Sequence, residues 1–101
     1  MKIYALQPVE KFIRSLQPRL EARVHRMIDV LSAADGNLGM PYSRKIDTDL
    51  FELRITGNNH VRIFYTYQKN AVVLLHAFKK KSGRIPKKEI DTALARLKQL
   101  E

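Results

Sequence analysis

Three strand-like runs of this sequence carry cationic side chains among apolar ones; they span residues 50–54, 61–65 and 74–86. The first two contain Arg54 and Arg62, and the third contains His76. Guanidinium and ammonium groups bind phosphate oxygens, and an imidazole exchanges protons near neutral pH. Neighbouring strands that present such groups on one face would form a surface for polyanions, with phosphate as the obvious ligand.

The charge of the whole chain agrees with that interpretation. Nineteen lysines and arginines stand against ten acidic residues, and the formal net charge is +9. Such a charge favours nucleic acid, an acidic protein or an anionic membrane surface as a partner. A membrane-surface protein would concentrate its cations on one amphipathic helix, whereas here they run along the chain and thicken in its last third. We therefore expect nucleic acid, with an acidic protein as an alternating partner.

Length and composition indicate one globular domain over residues 1–101, with an ordinary hydrophobic fraction of 45%. No cysteine is present, so disulfides and thiolate metal sites are excluded. The first residues are too polar for a signal peptide, and no apolar stretch approaches the ~20 residues of a membrane span. We expect a soluble cytoplasmic protein that needs no cofactor and binds no membrane.

Metal-dependent chemistry is not expected either. His25, His60 and His76 do not have metal-ligand spacing. Asp47 and Asp49 form an acidic pair that is too isolated for a two-metal nuclease. The glycines are scattered and form no phosphate-binding loop. Any phosphoryl chemistry on this chain would therefore proceed without a metal.

The apolar pattern predicts two helices first. Residues 9–16 have a helical period opened by Pro8, and the break at 17–18 lets Pro18 open a second helix. The stop signal at 35–37 ends it, because glycine accepts the left-handed conformation common after a helix. Such a helical hairpin cannot bury its apolar stripes alone and needs a sheet.

A three-stranded antiparallel meander is predicted next. Residues 51–56 and 61–67 alternate apolar and polar side chains, and 71–78 form a more buried, central strand; turn signals lie at 57–59 and 68–70. Residues 1–6 are a further candidate edge strand. Pro86 opens a last helix, so the predicted fold is α+β, with an N-terminal helical hairpin packed on a small antiparallel sheet and a C-terminal helix, all helices on one face.

Alternation then indicates what the free face carries. If the apolar residues that alternate with them, such as Phe51 and Ile63, face the helices, Arg54 and Arg62 project from the open face. The third strand is nearly all apolar and its facing is ambiguous: His76, Phe78 and Lys80 share one parity and Lys79 the other. The open face would then carry one imidazole and one or two ammonium groups around Phe64 or Phe78. Aromatic rings between cations suit RNA, because bases stack while phosphates pair with charge. The alternative is structural: exposed arginines that solubilise the sheet, surface pairs with Glu52, and a hydrogen-bonded sheet histidine. Arg62 argues against it, because a cation in mid-strand needs a specific anion.

Several motifs together resemble the RelE/ParE superfamily of bacterial toxins, and most closely its phage-derived, HigB-like branch. They are Leu38-Gly-Met-Pro41, Lys45-Ile46, Phe51-Glu-Leu-Arg54, Val61-Arg-Ile-Phe-Tyr65 and Leu75-His-Ala-Phe-Lys-Lys-Lys81, with Ile85-Pro86 and Glu89-Ile90. The resemblance implies the toxin of a type II toxin–antitoxin pair, neutralised by a small DNA-binding antitoxin of the helix-turn-helix kind. It also implies an endoribonuclease that cuts messenger RNA on the ribosome and inhibits translation.

The resemblance also implies roles for individual residues. Arg62 aligns with an arginine used at the scissile phosphate, and Lys80, or its neighbour Lys79, with a second cation. Arg54 belongs to the same constellation, and Phe78 is a candidate RNA contact. The cations expected to hold the RNA backbone are Arg44, Lys45, Lys81 and Arg84.

The pattern departs from the family where proton transfer is concerned. The RelE pattern has lysines in the first meander strand and a tyrosine after the last, whereas here the strand reads Phe51-Glu-Leu-Arg54 and no tyrosine follows Tyr67. His76 and Glu52 are the remaining candidates for base and acid. Two alternatives stay open: a ParE-like inhibitor of DNA gyrase, and a non-catalytic module that binds nucleic acid or antitoxin.

Overall fold

A computed structural model covers the chain and describes all residues except Thr56, Asn58, Asn59, Ser82 and Glu101, so the turn predicted at 57–59 lies partly outside the described residues. The described chain has α+β architecture. In order, its elements are β1 (Lys2–Ala5), α1 (Gln7–Arg14), α2 (Pro18–Ala34), β2 (Ser43–Asp47), β3 (Leu50–Arg54), β4 (Val61–Gln68), β5 (Ala71–Lys79) and α3 (Lys87–Gln99).

The helical hairpin forms where the prolines and the glycine signal predicted it. Pro8 lies in the first turn of α1, and Pro18 is the first residue of α2. Residue Asp35 follows α2 in the left-handed conformation with φ of 50°, and Gly36 continues with φ of 85°. Both helix starts and the stop of α2 are therefore confirmed.

The sheet has five strands in the order β1-β5-β4-β3-β2. Strands β2 to β5 are antiparallel neighbours, and β1 lies parallel to β5 at the edge. The predicted turn between β4 and β5 is confirmed, with φ of 49° at Lys69 and 62° at Asn70. The prediction missed β2, because Ser43–Asp47 contains one apolar residue and looks like a loop. The buried hydroxyls of Ser43 on β2 and Tyr65 on β4 are hydrogen-bonded to each other. This bond spans β3, which lies between the two strands, and holds β2 in place.

Helices cover both faces of the sheet, so the prediction of helices on one face is wrong. The first core joins α1 and α2 to one face through residues such as Val24, Leu53 and Tyr65. The second core joins α3 to the other face through Ala93, Phe64 and others. The physical reason is β5, which is apolar on both faces and would leave one of them exposed without α3.

A bulge interrupts the pairing of β5 with β4. Phe64 lies opposite His76 and the next residue, Tyr65, lies opposite Leu74, so Leu75 is the extra residue. Leu74 therefore faces α1 and α2, while Leu75 and Phe78 face α3. This shift of phase puts His76 on the face that also carries Glu52.

None of the helices in the described part of the chain is both long and apolar enough to cross a membrane.

Candidate functional site

Strand register brings the predicted cations together on the face that α3 partly covers. Arg44 of β2 lies opposite Glu52 of β3, and Arg54 of β3 lies opposite Arg62 of β4. Alternate residues of a strand share a face, so Glu52 and Arg54 point the same way. Arg54 and Arg62 were predicted to project from an open face of the sheet; the register agrees with the side, but α3 covers part of that face, so it is not open.

Glu52 collects three guanidinium groups around one buried carboxylate. Its Oε1 lies 3.0 Å from Nε of Arg44 and 3.1 Å from Nε of Arg54, and both nitrogens donate hydrogen bonds. Its Oε2 lies 3.4 Å from Nε of Arg62. The Glu52 side chain is only 1% exposed, so these are not the surface pairs that the structural alternative assumed. We call Arg44, Glu52, Arg54 and Arg62 the arginine cluster.

Arg62 has the least complete environment of the cluster. Its side chain is 13% exposed, and its Nη1 donates a hydrogen bond to the Val61 carbonyl. Its Nε is the one buried side-chain nitrogen or oxygen, among the described residues, that makes no hydrogen bond. Burial lowers the pKa of Arg62, Glu52 opposes that shift, and Arg54 and Arg44 add to it. Nε of Arg62 therefore has an ionic partner in Glu52 but an unfilled hydrogen bond, which a rearrangement around an anionic ligand could fill.

The arginine cluster carries more positive charge than it neutralises. Three guanidinium charges against one carboxylate leave a net charge of +2. Each arginine faces Glu52 through Nε, the nitrogen beside its methylene stem, and the terminal nitrogens of Arg44 and Arg54 make no hydrogen bond with another described residue. The cluster can therefore bind a multiply charged oxyanion such as a phosphate.

His76 belongs to a second cluster, under α3. Nδ1 of His76 lies 3.2 Å from Nη1 of Arg96, and Nε2 lies 2.7 Å from Oε1 of Glu89. A guanidinium only donates, so Nδ1 accepts, and Nε2 donates to the carboxylate. Arg96 also donates to the Leu75 carbonyl at 2.9 Å, at the bulge. We call His76, Glu89 and Arg96 the histidine cluster; it ties α3 to β5.

The aromatic side chains between the clusters are buried. Phe64 lies opposite both Glu52 and His76 in register, so its ring separates the two clusters. Its ring centre lies 5.2 Å from that of Phe78, which is 5% exposed. With α3 in place, neither ring presents a face to a nucleobase.

The lysines divide between the two faces. Lys79 lies opposite Val61, which belongs to the first core. The Lys80 amide donates to the His60 carbonyl at 2.8 Å, which continues the ladder, so alternation gives Lys80 the face of Arg62. Lys80 is then a diagonal neighbour of Arg62, at about 7–8 Å between backbones. Lys45 lies opposite Phe51, away from the arginine cluster, and the remaining predicted RNA contacts, Lys81 and Arg84, are exposed beyond β5.

The sequence interpretation missed Glu89 and Arg96. They are seven residues apart on α3, two helical turns, and so lie on one side of the helix. That spacing is the sequence signal by which the pair can be found. In the described part of the chain, no group of three histidine, aspartate or glutamate side chains could hold a metal ion.

The fold and the site together define a small α+β protein with a cationic sheet face. The chain belongs to the Gp49-like family of phage-derived proteins (DUF891), whose profile matches residues 11–98, and this family is part of the RelE/toxin-like group. A similar fold occurs in a chain of the YoeB-YefM complex from Staphylococcus aureus, with a TM-score of 0.57 and 18% sequence identity over 81% of this chain and 98% of that one. No curated protein sequence matches the chain.

Proposed function

We propose that this chain is the toxin of a type II toxin–antitoxin pair, of the HigB-like branch, and that it cuts messenger RNA on the ribosome without a metal ion. The family membership supports the toxin class. The similar fold in a complex named for two proteins, YoeB and YefM, supports a protein partner. We propose that this partner is a small DNA-binding antitoxin of helix-turn-helix type. The proposed place of action is the cytoplasm, where ribosomes and transcripts are found.

The observation that carries the proposal is the arginine cluster, with its net charge of +2 and with an Nε of Arg62 that is ion-paired with Glu52 but makes no hydrogen bond. In the proposed reaction a ribose 2′-oxygen loses its proton and attacks the adjacent phosphorus. The bond to the 5′-oxygen breaks, that oxygen takes up a proton, and a 2′,3′-cyclic phosphate remains. Charge grows on the non-bridging oxygens in the transition state, so preorganised cations stabilise it more than the ground state.

Arg62 is proposed to bind the scissile phosphate, because it is the most buried guanidinium of the arginine cluster and its Nε makes no hydrogen bond. Arg54 and Arg44 share its carboxylate partner and would bind the same phosphate or the next one. Lys80 is favoured over Lys79 as the fourth cation, because alternation gives it the face of Arg62.

The proton-transfer roles proposed for Glu52 and His76 require their present partners to move. Both oxygens of Glu52 face guanidinium groups, and both ring nitrogens of His76 have partners. A phosphate in the arginine cluster would compete for those guanidinium groups. Glu52 would then have a free oxygen, close to the 2′-hydroxyl, and could act as the base. His76, on the far side of Phe64, is the proposed acid only if α3 shifts.

The other predicted RNA contacts fall into two kinds. Lys45, Lys81 and Arg84 are exposed and are proposed to hold RNA backbone, in the transcript or the ribosome. Phe78 could contact RNA only after α3 leaves the sheet, because the ring is buried against that helix. We therefore keep Phe78 as a proposal that depends on movement of α3.

The decisive experiment is to induce the protein in a bacterial host and map the 5′ ends of transcripts. New 5′ ends that follow codon register within translated regions, and that are absent from untranslated ones, are the expected result. Supercoiling by purified DNA gyrase, assayed with the same protein, should be unaffected. Growth arrest with inhibited gyrase and no new 5′ ends would replace the proposal by the ParE-like alternative. Salt-sensitive RNA binding without cleavage would indicate the non-catalytic module.

A further inference from the structure

An exposed aromatic side chain lies beside the arginine cluster. Phe64 and Phe78, the aromatic residues expected to meet bases, are buried. Tyr42 is 41% exposed and directly precedes β2, the strand that carries Arg44.

Register gives the position of Tyr42. The Arg54 amide donates to the Tyr42 carbonyl at 2.8 Å, and Ser43 pairs with Leu53, so Tyr42 lies opposite Arg54. Ser43 faces Tyr65 in the first core. Alternation therefore gives Tyr42 the other face, which is the face of Arg44 and the arginine cluster. Directly opposite residues have Cβ atoms about 4.5–5.5 Å apart, within the span of one nucleotide.

We propose that Tyr42 stacks on an unpaired RNA base whose own or adjacent phosphate lies in the arginine cluster. The inference rests on the proposed function in taking RNA as the ligand. A phenol ring exposed beside a cluster of net charge +2 matches a nucleotide, which joins a flat apolar base to an anion. The ring would fix the base and so align the neighbouring phosphate with Arg62. Tyr42 would thus contribute to positioning and to base preference.

The test measures binding without relying on cleavage. The probe is a short single-stranded RNA with 2′-O-methyl sugars, which cannot be cut, and a matched RNA that lacks its two central bases. Tyr42→Ala should weaken binding of the intact RNA by roughly 5- to 100-fold and leave binding of the base-free RNA unchanged. Tyr42→Phe should bind both RNAs like the parent chain, because the ring remains. Tyr4→Ala is the matched control, since Tyr4 is 55% exposed on β1 at the opposite edge of the sheet.

Three results would overturn the inference. The first is a parent chain that binds neither RNA at low salt, and the second is a Tyr42→Ala variant that binds intact RNA normally. The third is an equal loss for both RNAs, which would indicate a backbone contact or a folding defect. A variant that binds RNA normally and loses an antitoxin would make Tyr42 part of a protein interface. By contrast, stacking without any cleavage contradicts the proposed nuclease and leaves this inference intact.

Discussion

The arginine cluster and the histidine cluster lie on the same face of the sheet, separated by the buried ring of Phe64. Each contains one carboxylate and at least one guanidinium group. The arginine cluster is built entirely from the neighbouring strands β2, β3 and β4, so sheet register fixes it. The histidine cluster joins β5 to α3, so it exists only while the helix is docked.

The difference lies in how the charges are used. The arginine cluster has a net charge of +2 and a buried donor that makes no hydrogen bond. In the histidine cluster, both imidazole nitrogens, the carboxylate and the guanidinium have partners. A preformed cluster with spare charge is suited to bind a ligand. A satisfied cluster between a strand and a helix is suited to hold two elements together.

The largest expected effect is a loss of folding stability when the shared carboxylate of Glu52 is removed. Glu52→Ala leaves Arg62 buried without a counter-ion, and we expect the free energy of unfolding to fall by about 3 kcal/mol or more. Urea denaturation measures it. The double variant Glu52→Leu with Arg62→Leu is the control, and it should recover much of the loss because no buried charge remains. A loss below about 1 kcal/mol for Glu52→Ala would mean that Arg62 reaches water in the absence of its partner.

The second effect is on catalysis and should spare stability. Arg62→Ala should slow ribosome-dependent cleavage by about 10²-fold, because one transition-state cation is lost. Rates from 5′-end mapping over time measure this, with Arg19→Ala on α2 as the exposed control.

The free energy of unfolding of an Arg62 variant distinguishes a functional role of this residue from a structural one. Burial lowers the pKa of Arg62, so the folded chain holds this charge at a cost, and that cost begins to fall only when the pH rises above the lowered value. Arg62→Met keeps an unbranched stem and removes the charge. Its free energy of unfolding should equal or exceed that of the parent chain, with a difference that stays constant between about pH 5 and 8. A clear loss of stability would make Arg62 a structural residue.

The histidine cluster should show a smaller effect that is confined to α3. Glu89→Ala removes the acceptor of His76, and we expect about 1–2 kcal/mol less protection of the α3 amides in hydrogen exchange. Exchange in β3 and β4 should not change. Faster exchange throughout the sheet would show that the two clusters are not independent.

The smallest effect is expected on the exposed side of the same helix. Lys87 Nζ and Asp91 Oδ2 lie 3.7 Å apart and both side chains are exposed. Asp91→Asn should change stability by less than about 0.5 kcal/mol. It therefore serves as the matched control for Glu89→Ala, since both changes remove a carboxylate from α3. If Asp91→Asn and Glu89→Ala lowered stability equally, the histidine cluster would contribute no more to stability than an exposed ion pair does.

Local pattern was enough to predict some parts of this molecule. The helix starts at prolines and the faces of β3 and β4 follow from short-range rules, because each depends on the period of a few residues. Arg54 and Arg62 were assigned to the correct face for that reason. The burial of Glu52 could not be predicted, because it depends on β2, whose sequence gives almost no strand signal.

Other features depend on contacts between distant residues. The apolar stripe of α3 predicts that the helix packs, but only the two-sided burial of β5 determines that it packs opposite the hairpin. His76 and Glu89 are 13 residues apart, and their pairing follows from that choice. Tyr42 looks like a loop residue until the register of β2 gives it a face and a neighbour.

The bulge at Leu75 has a consequence for comparing sequences. On β5, Leu74 and His76 are both even-numbered, yet they face opposite sides of the sheet because Leu75 is an extra residue. A relative without the bulge would carry the equivalents of His76, Phe78 and Lys80 one position earlier in its strand. An alignment of such relatives needs a one-residue gap inside β5, where gaps are ordinarily penalised. Without that gap, the alignment would compare His76 and Lys80 with residues that lie on the opposite face of the sheet in such relatives.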